Sequence, residues 1–145
     1  MKKILFILLV FCSANVFSQK EIDDLMRKGD VKITRKDYKG AIDIFNKVLE
    51  INPGYPDAYL YRGMGEYLLN DLKTSMADFN KAIELQPDFA EAYFYRGVVN
   101  GDLKKNDDAC NDWVKSFDLG FDGAGELIDK FCKDKEKEIL EKNKK

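Results

Sequence analysis

Residues Pro56 to Pro87 read PDAYLYRGMGEYLLNDLKTSMADFNKAIELQP, and this stretch decides the fold. In its first half a large apolar residue, Tyr59, is followed four places on by Gly63. In its second half Ser75, Phe79 and Ala82 stand at steps of four and three, the spacing that lines side chains along one face of a helix. Asn70 and Asp71 interrupt the pattern with turn chemistry, and Asp71 is suited to accept hydrogen bonds from the open N–H groups of a following helix. Pro87 ends the second half, because proline lacks an N–H and restricts the residue before it. The stretch predicts two amphipathic helices joined by a tight turn.

The same pattern returns on both sides at an offset of 34 residues, from Ile22 to Gly123. Leu25, Tyr59 and Tyr93 align, as do Gly29, Gly63 and Gly97. In the second half of each unit Ala41, Ser75 and Ala109 match, then Phe45, Phe79 and Trp113, then Val48, Ala82 and Ser116. Turns are expected at Lys36-Asp37, Asn70-Asp71 and Lys105-Asn106, each with Asp or Asn to cap the next helix, and Asp107 and Asp108 suit a helix N-terminus. Pro53 and Pro87 close the first two units. The expected organisation is therefore three helix pairs, 22–55, 56–89 and 90–123. Glycine inside a helix costs about 1 kcal/mol against alanine, so three at one phase require a close approach. We expect each glycine to face the small residue of the second helix in its own unit, and the aromatic to wedge between one unit and the next.

This repeat resembles the tetratricopeptide repeat, most clearly at Tyr59, Gly63, Ser75, Phe79, Ala82 and Pro87. It departs from the family pattern at Glu66, where a tyrosine is common, and at Phe121, where the closing proline is missing. The resemblance implies an all-α fold, an α-solenoid of three such helix-turn-helix units. After them, 124–132 reads as a capping helix with Ala124, Leu127, Ile128 and Phe131 on one side, and 133–145 as a charged, solvated extension.

The resemblance also implies a binding groove lined by the first helices. The stripe facing it would hold Met26, Ile33, Leu60, Met64, Tyr67, Phe94 and Val98, an apolar set suited to a protein or peptide partner. Two readings stand at this stage: these side chains meet a partner, or they pack first helix against first helix. Asp23, Asp57 and Glu91 recur beside the stripe, which points to a partner with basic flanks. The chaperone-binding members of the family clamp a carboxylate with cations, but here Met26, Asp30, Tyr61, Glu91 and Tyr95 occupy those phases. Arg62 and Arg96 are expected to cover apolar surface or to meet a neighbouring acid.

The N-terminus carries Lys2 and Lys3, an apolar run from Ile4 to Phe11, and small residues at Val16 and Ser18. That order is a secretory signal, with cleavage expected after Ser18 and a periplasmic or secreted product. Cys12 as an acylated lipoprotein cysteine is disfavoured, because the bulky Phe11 stands where that signal needs a small residue. The leader holds two lysines and no acid, so its loss takes the net charge from −2 to −4, which argues against nucleic acid and anionic membranes as partners. The run is too short to span a bilayer, so no membrane insertion is expected after cleavage.

No histidine occurs, which removes triad and Cys-His chemistry and mixed Cys/His zinc sites. The acids near 118–129 lack calcium-loop spacing, and Gly63-Met64-Gly65 lies within a helix rather than a phosphate loop. No catalytic residue, metal or cofactor is expected. Cys110 and Cys132 are either a disulfide tying the cap to the stack or two buried thiols. They lack the adjacent-pair motif of a thiol-disulfide enzyme, the least favoured of three functional readings. The first is a binding module or adaptor; the second is self-association into a homo-oligomeric assembly element.

Overall fold

The computed structural model describes residues 19–132; the expected leader 1–18 with Cys12, and the extension 133–145, lie outside the described residues. The described chain begins in α1, residues 19–34. It continues through α2 (Tyr38–Ile51), α3 (Pro56–Leu68), α4 (Leu72–Leu85), α5 (Ala90–Asp102) and α6 (Asn106–Asp118). A 3-10 turn at Asp122–Ala124 leads into α7 (Gly125–Phe131). No strand occurs among the described residues, and each helix packs on the next in sequence, which makes an α-solenoid.

The turns within the pairs share one mechanism. Lys36, Asn70 and Lys104 adopt φ of 59°, 64° and 59°, the left-handed conformation that lets the chain reverse past a helix end. Two backbone bonds then close each end; in the second unit Asn70 N–H donates to Tyr67 C=O at 2.8 Å and Asp71 N–H to Glu66 C=O at 2.9 Å. Asp37 and Asp71 accept from Gly40 N–H and Thr74 N–H, so two expected caps are present. The third differs: Lys105 holds the cap position without a side-chain bond and Asn106 is already inside α6. There Asp107 and Asp108 supply first-turn acids instead. Gly120, at φ 96°, repeats the closing pattern after α6.

The glycine phase works differently from the sequence expectation. A Cβ on Gly63 would stand 2.9 Å from Phe79 Cε1, and one on Gly97 2.6 Å from Trp113 Nε1. On Gly29 it would collide with the Phe45 ring. Each glycine thus makes room for the aromatic of its own unit, and Gly97 also nears the small residue's backbone, at 3.2 Å from Ala109 O. The other side of the ring does reach the next unit, since Phe45 stacks on Tyr61 at 5.7 Å and Phe79 on Tyr95 at 6.0 Å. One buried ring therefore joins a helix pair and couples it to the following pair.

At the C-terminal end Ala124 is buried and Leu127 and Ile128 pack on α6, but Phe131 is 58% exposed and leans on Trp113 at 5.9 Å. Phe131 is therefore only partly the packing residue its spacing predicts. Cys110 and Cys132 form a disulfide with Cα atoms 5.7 Å apart, which fastens the end of α7 to α6. Reduction should lower stability by about 3 kcal/mol, measured as denaturation midpoints with and without a thiol reductant. Equal midpoints would show that α7 is held by packing alone.

Candidate functional site

The first helices α1, α3 and α5 carry every residue of the expected stripe, and burial sorts them. Leu60 is 4% exposed and lies in the core with Phe79 and Val99, so it is a packing residue rather than a groove contact. Its phase faces inward because α3 is covered on both sides by neighbouring pairs. The other six are half-buried. Met26 packs on Ile22, Val48 and Ala58; Met64 and Tyr67 pack on the Leu60 core. Phe94 meets Tyr95 at 5.2 Å and Phe121 at 4.8 Å. Ile33 reaches α3, with Cδ1 3.6 Å from where a Cβ on Gly65 would be. Tyr67 donates its hydroxyl to Asp102 at 2.8 Å, linking α3 to α5. These side chains both hold first helix to first helix and leave apolar surface outward.

Beside them runs an acidic line. Burial raises the Tyr61 hydroxyl above its ordinary pKa, and the Asp30, Asp57 and Glu91 carboxylates raise it further. Tyr95 is raised by burial and by Glu91, while burial and then Glu91 push the Asp57 carboxyl up. Asp30 stands on α1, Asp57 on α3 and Glu91 on α5. Acids from α1, α3 and α5 therefore face a shared tyrosine floor, a field that attracts cations.

The arginines have a different task. Arg62 holds Asp78 with two bonds of 2.7 Å and reaches back to Asn46 of the preceding pair at 2.7 Å. Arg96 repeats this with Asp112 at 2.9 and 2.6 Å and with Asn80 at 2.9 Å, and Asn100 adds a bond of 3.0 Å to Asp112. Each guanidinium also lies over a tyrosine of its own helix, Tyr59 or Tyr93, at 5.4 and 5.3 Å. Both arginines meet a neighbouring acid and cover apolar surface together. Sequence reading missed Asp78 and Asp112 as buried partners, although both stand one place before the recurring aromatic. The network is absent from the first unit, where Lys28 and Ile44 occupy the corresponding phases.

Glu66, the departure from the family pattern, sits beside this network. Burial pushes its carboxyl up to about 7, aided by the Asp78 and Asp71 charges and opposed by Arg62 and Thr74. Its Oε2 is buried and accepts no hydrogen bond from the described residues. A carboxyl raised in the fold favours the protonated form, so its contribution to stability is complete below about 4.5 and is lost as pH rises through about 7. Glu66→Gln should therefore stabilise the chain at pH 8, by at most about 1 to 2 kcal/mol for this half-exposed group, and flatten stability between pH 5 and 8. Urea midpoints across that range are the check.

A cavity of about 420 Å³ opens between α5, α6 and α7, bounded by Val98, Gly101, Asp102, Trp113 and Phe131 among others. Of the expected stripe, only Val98 borders it.

Stacked helix hairpins with aromatic rings between pairs, and a half-apolar, acidic face along their first helices, define a helical-repeat scaffold with a side-chain-lined face. Models of the tetratricopeptide repeat match residues 25–55, and of the TPR repeat residues 66–104. The chain belongs to the tetratricopeptide-repeat family.

Solved structures agree on the fold. The Arabidopsis OM64 TPR domain is 18% identical, covers 80% of this chain and 98% of its own, and superposes with a TM-score of 0.75. The second TPR domain of human RPAP3, in complex with the HSP70 peptide SGPTIEEVD, is 18% identical over 79% of this chain and 97% of its own, TM-score 0.71. The TPR2B domain of yeast Sti1, in a complex with an Hsp70 peptide, is 20% identical over 77% and 93%, TM-score 0.71. Sequence comparison with curated proteins returns no match.

Proposed function

We propose that the chain is a protein-interaction module that holds a segment of another protein, rich in basic residues, along the first-helix face. The observation that carries this reading is the convergence of Asp30, Asp57 and Glu91 on Tyr61 beside half-buried Met64 and Phe94. Apolar surface supplies affinity, and these acids, which form no ion pair among the described residues, select for cations. The human and yeast domains above are recorded with chaperone peptides, which supports peptide recognition by this architecture. The peptide held by the human domain ends Glu-Glu-Val-Asp, however, and an acidic end is repelled by a face carrying Asp30 and Glu91. We take the partner to be a different protein. The leader-like N-terminus supports placing the module in the cell envelope or outside the cell, and fractionation of cells carrying the tagged chain checks that placement.

The test of the binding mode compares two peptides, Ac-KKLLKK-amide and Ac-EELLEE-amide, by calorimetry. The lysine peptide should bind at least about ten-fold more tightly, and the difference should shrink with added salt. Asp57→Asn with Glu91→Gln should remove most of that preference while changing the thermal midpoint little. Equal binding of the two peptides would overturn the basic-segment reading. Sedimentation of the same samples tests the self-association alternative, since a strict monomer at high concentration removes it.

A further inference from the structure

The cavity at the C-terminal end has a cause that can be read by laying the third unit on the second. In the second unit the space above the pair is filled by Met64, Tyr67, Leu72 and Met76, all packed on the Leu60 core. At the same phases the third unit has Val98, Gly101, Asn106 and Cys110, every one smaller. The site loses side-chain volume at four positions at once, and the short α7 covers it from one side with Leu127 and Phe131. What remains is an opening of about 420 Å³, within the range of side-chain and ligand pockets. Its floor is the Trp113 indole, whose Cη2 lies 3.5 Å from where a Cβ on Gly101 would stand. Its rim carries the exposed Asp102 carboxylate, which already accepts from the Tyr67 hydroxyl.

From this geometry we infer that the cavity is a side-chain pocket at the end of the first-helix face, taking a bulky aliphatic or aromatic side chain of the bound segment flanked by a basic residue. The inference rests on the proposed binding face and names what sits at its C-terminal end. Two features select this occupant. Val98 belongs both to the stripe and to the cavity wall, so the pocket is continuous with the face. Asp102, at the end of α5 opposite Glu91, puts a carboxylate at the pocket mouth, complementary to a cation beside the anchoring side chain. The disulfide at Cys110 fastens the wall that α7 contributes, so the pocket keeps its shape without an occupant.

The test uses the chain begun at Gln19, with the peptides Ac-KKLLKK-amide and Ac-KKAAKK-amide. Wild type should prefer the leucine peptide by at least about ten-fold, the effect of burying an apolar side chain. Gly101→Tyr restores the side chain that Tyr67 places in the second unit, and Val98→Met the one that Met64 places there. Each should cut the leucine preference, measured as the ratio of the two peptides' affinities on the same variant, several-fold. Val98→Met is the gentler change and keeps the test decisive should Gly101→Tyr fail to fold. A leucine preference that survives both substitutions, or no preference in wild type despite tight binding of both peptides, overturns the pocket and leaves the binding face standing. If neither peptide binds, the binding face itself falls. The fluorescence of Trp113, the only tryptophan of the chain, then decides the pocket with N-acetyl-leucinamide as probe. A spectral shift in wild type that Val98→Met abolishes supports it, and no shift overturns it. A dimer that Val98→Met dissociates, or peptide binding that appears only after residues 133–145 are removed, would assign the cavity to a second copy or to the chain's own end, and also overturns the inference.

Discussion

Arg62→Ala is expected to lower the stability of the chain by about 3 kcal/mol. Asp78 is 6% exposed, and the guanidinium satisfies both of its oxygens; with the arginine gone, a buried carboxylate keeps its desolvation penalty and loses its partner. The same substitution removes the bond to Asn46, which ties the second pair to the first, and uncovers the Tyr59 ring. A chemical denaturation series gives the number. The diagnostic comparison is the double variant Arg62→Met with Asp78→Leu, which leaves no orphaned charge and should be less destabilised than Arg62→Ala alone. If the double variant is instead the less stable of the two, the ion pair contributes directly and the orphaned-charge account is wrong. Arg96→Ala should behave alike, because Asp112 is held in the same way.

Gly63→Leu should be at least as damaging, by about 3 kcal/mol or more. A Cβ there meets the Phe79 ring at 2.9 Å on one side and Asp78 Cβ at 3.1 Å on the other, and neither can withdraw. Phe79 is fully buried and stacked on Tyr95, while Asp78 is fixed by Arg62. Pushing the ring away would disturb the second pair and its junction with the third together. Gly54→Ala serves as the control: its Cβ would meet only Asn52 Oδ1 at 3.4 Å, so the change should be close to neutral. Thermal midpoints of the two variants, measured side by side, test whether the glycine phase is steric. A Gly63→Leu protein as stable as wild type would dissolve the explanation of the repeat.

Some residues declared their roles in advance and others did not. Phe45, Phe79 and Trp113 could be picked out because one phase in every 34 residues is aromatic, and their wedge between pairs followed. What glycine meets could not be read in the same way. The small residue and the aromatic of the second helix lie close in sequence on nearly one face, and the rotation of that helix about its axis decides which of them the glycine touches. Leu60 illustrates the same gap: its position on the first helix left open whether it meets a partner or packs, and the covering of α3 from both sides decided for packing. The arginines were legible as recurring, but Asp78 and Asp112 were hidden among many surface acids until three helices brought them under a guanidinium.

From the chain alone came the helices, the turns between them, the family and the two cysteines that could meet, because helical periodicity, proline, and a fixed repeat length act over short spans or by simple recurrence. Tertiary structure decided which side chains are core, which acids are partnered, and that the third unit is hollow. Those outcomes depend on how far and at what angle neighbouring helices approach, and on volumes summed over residues from several of them, quantities that no single stretch of sequence contains.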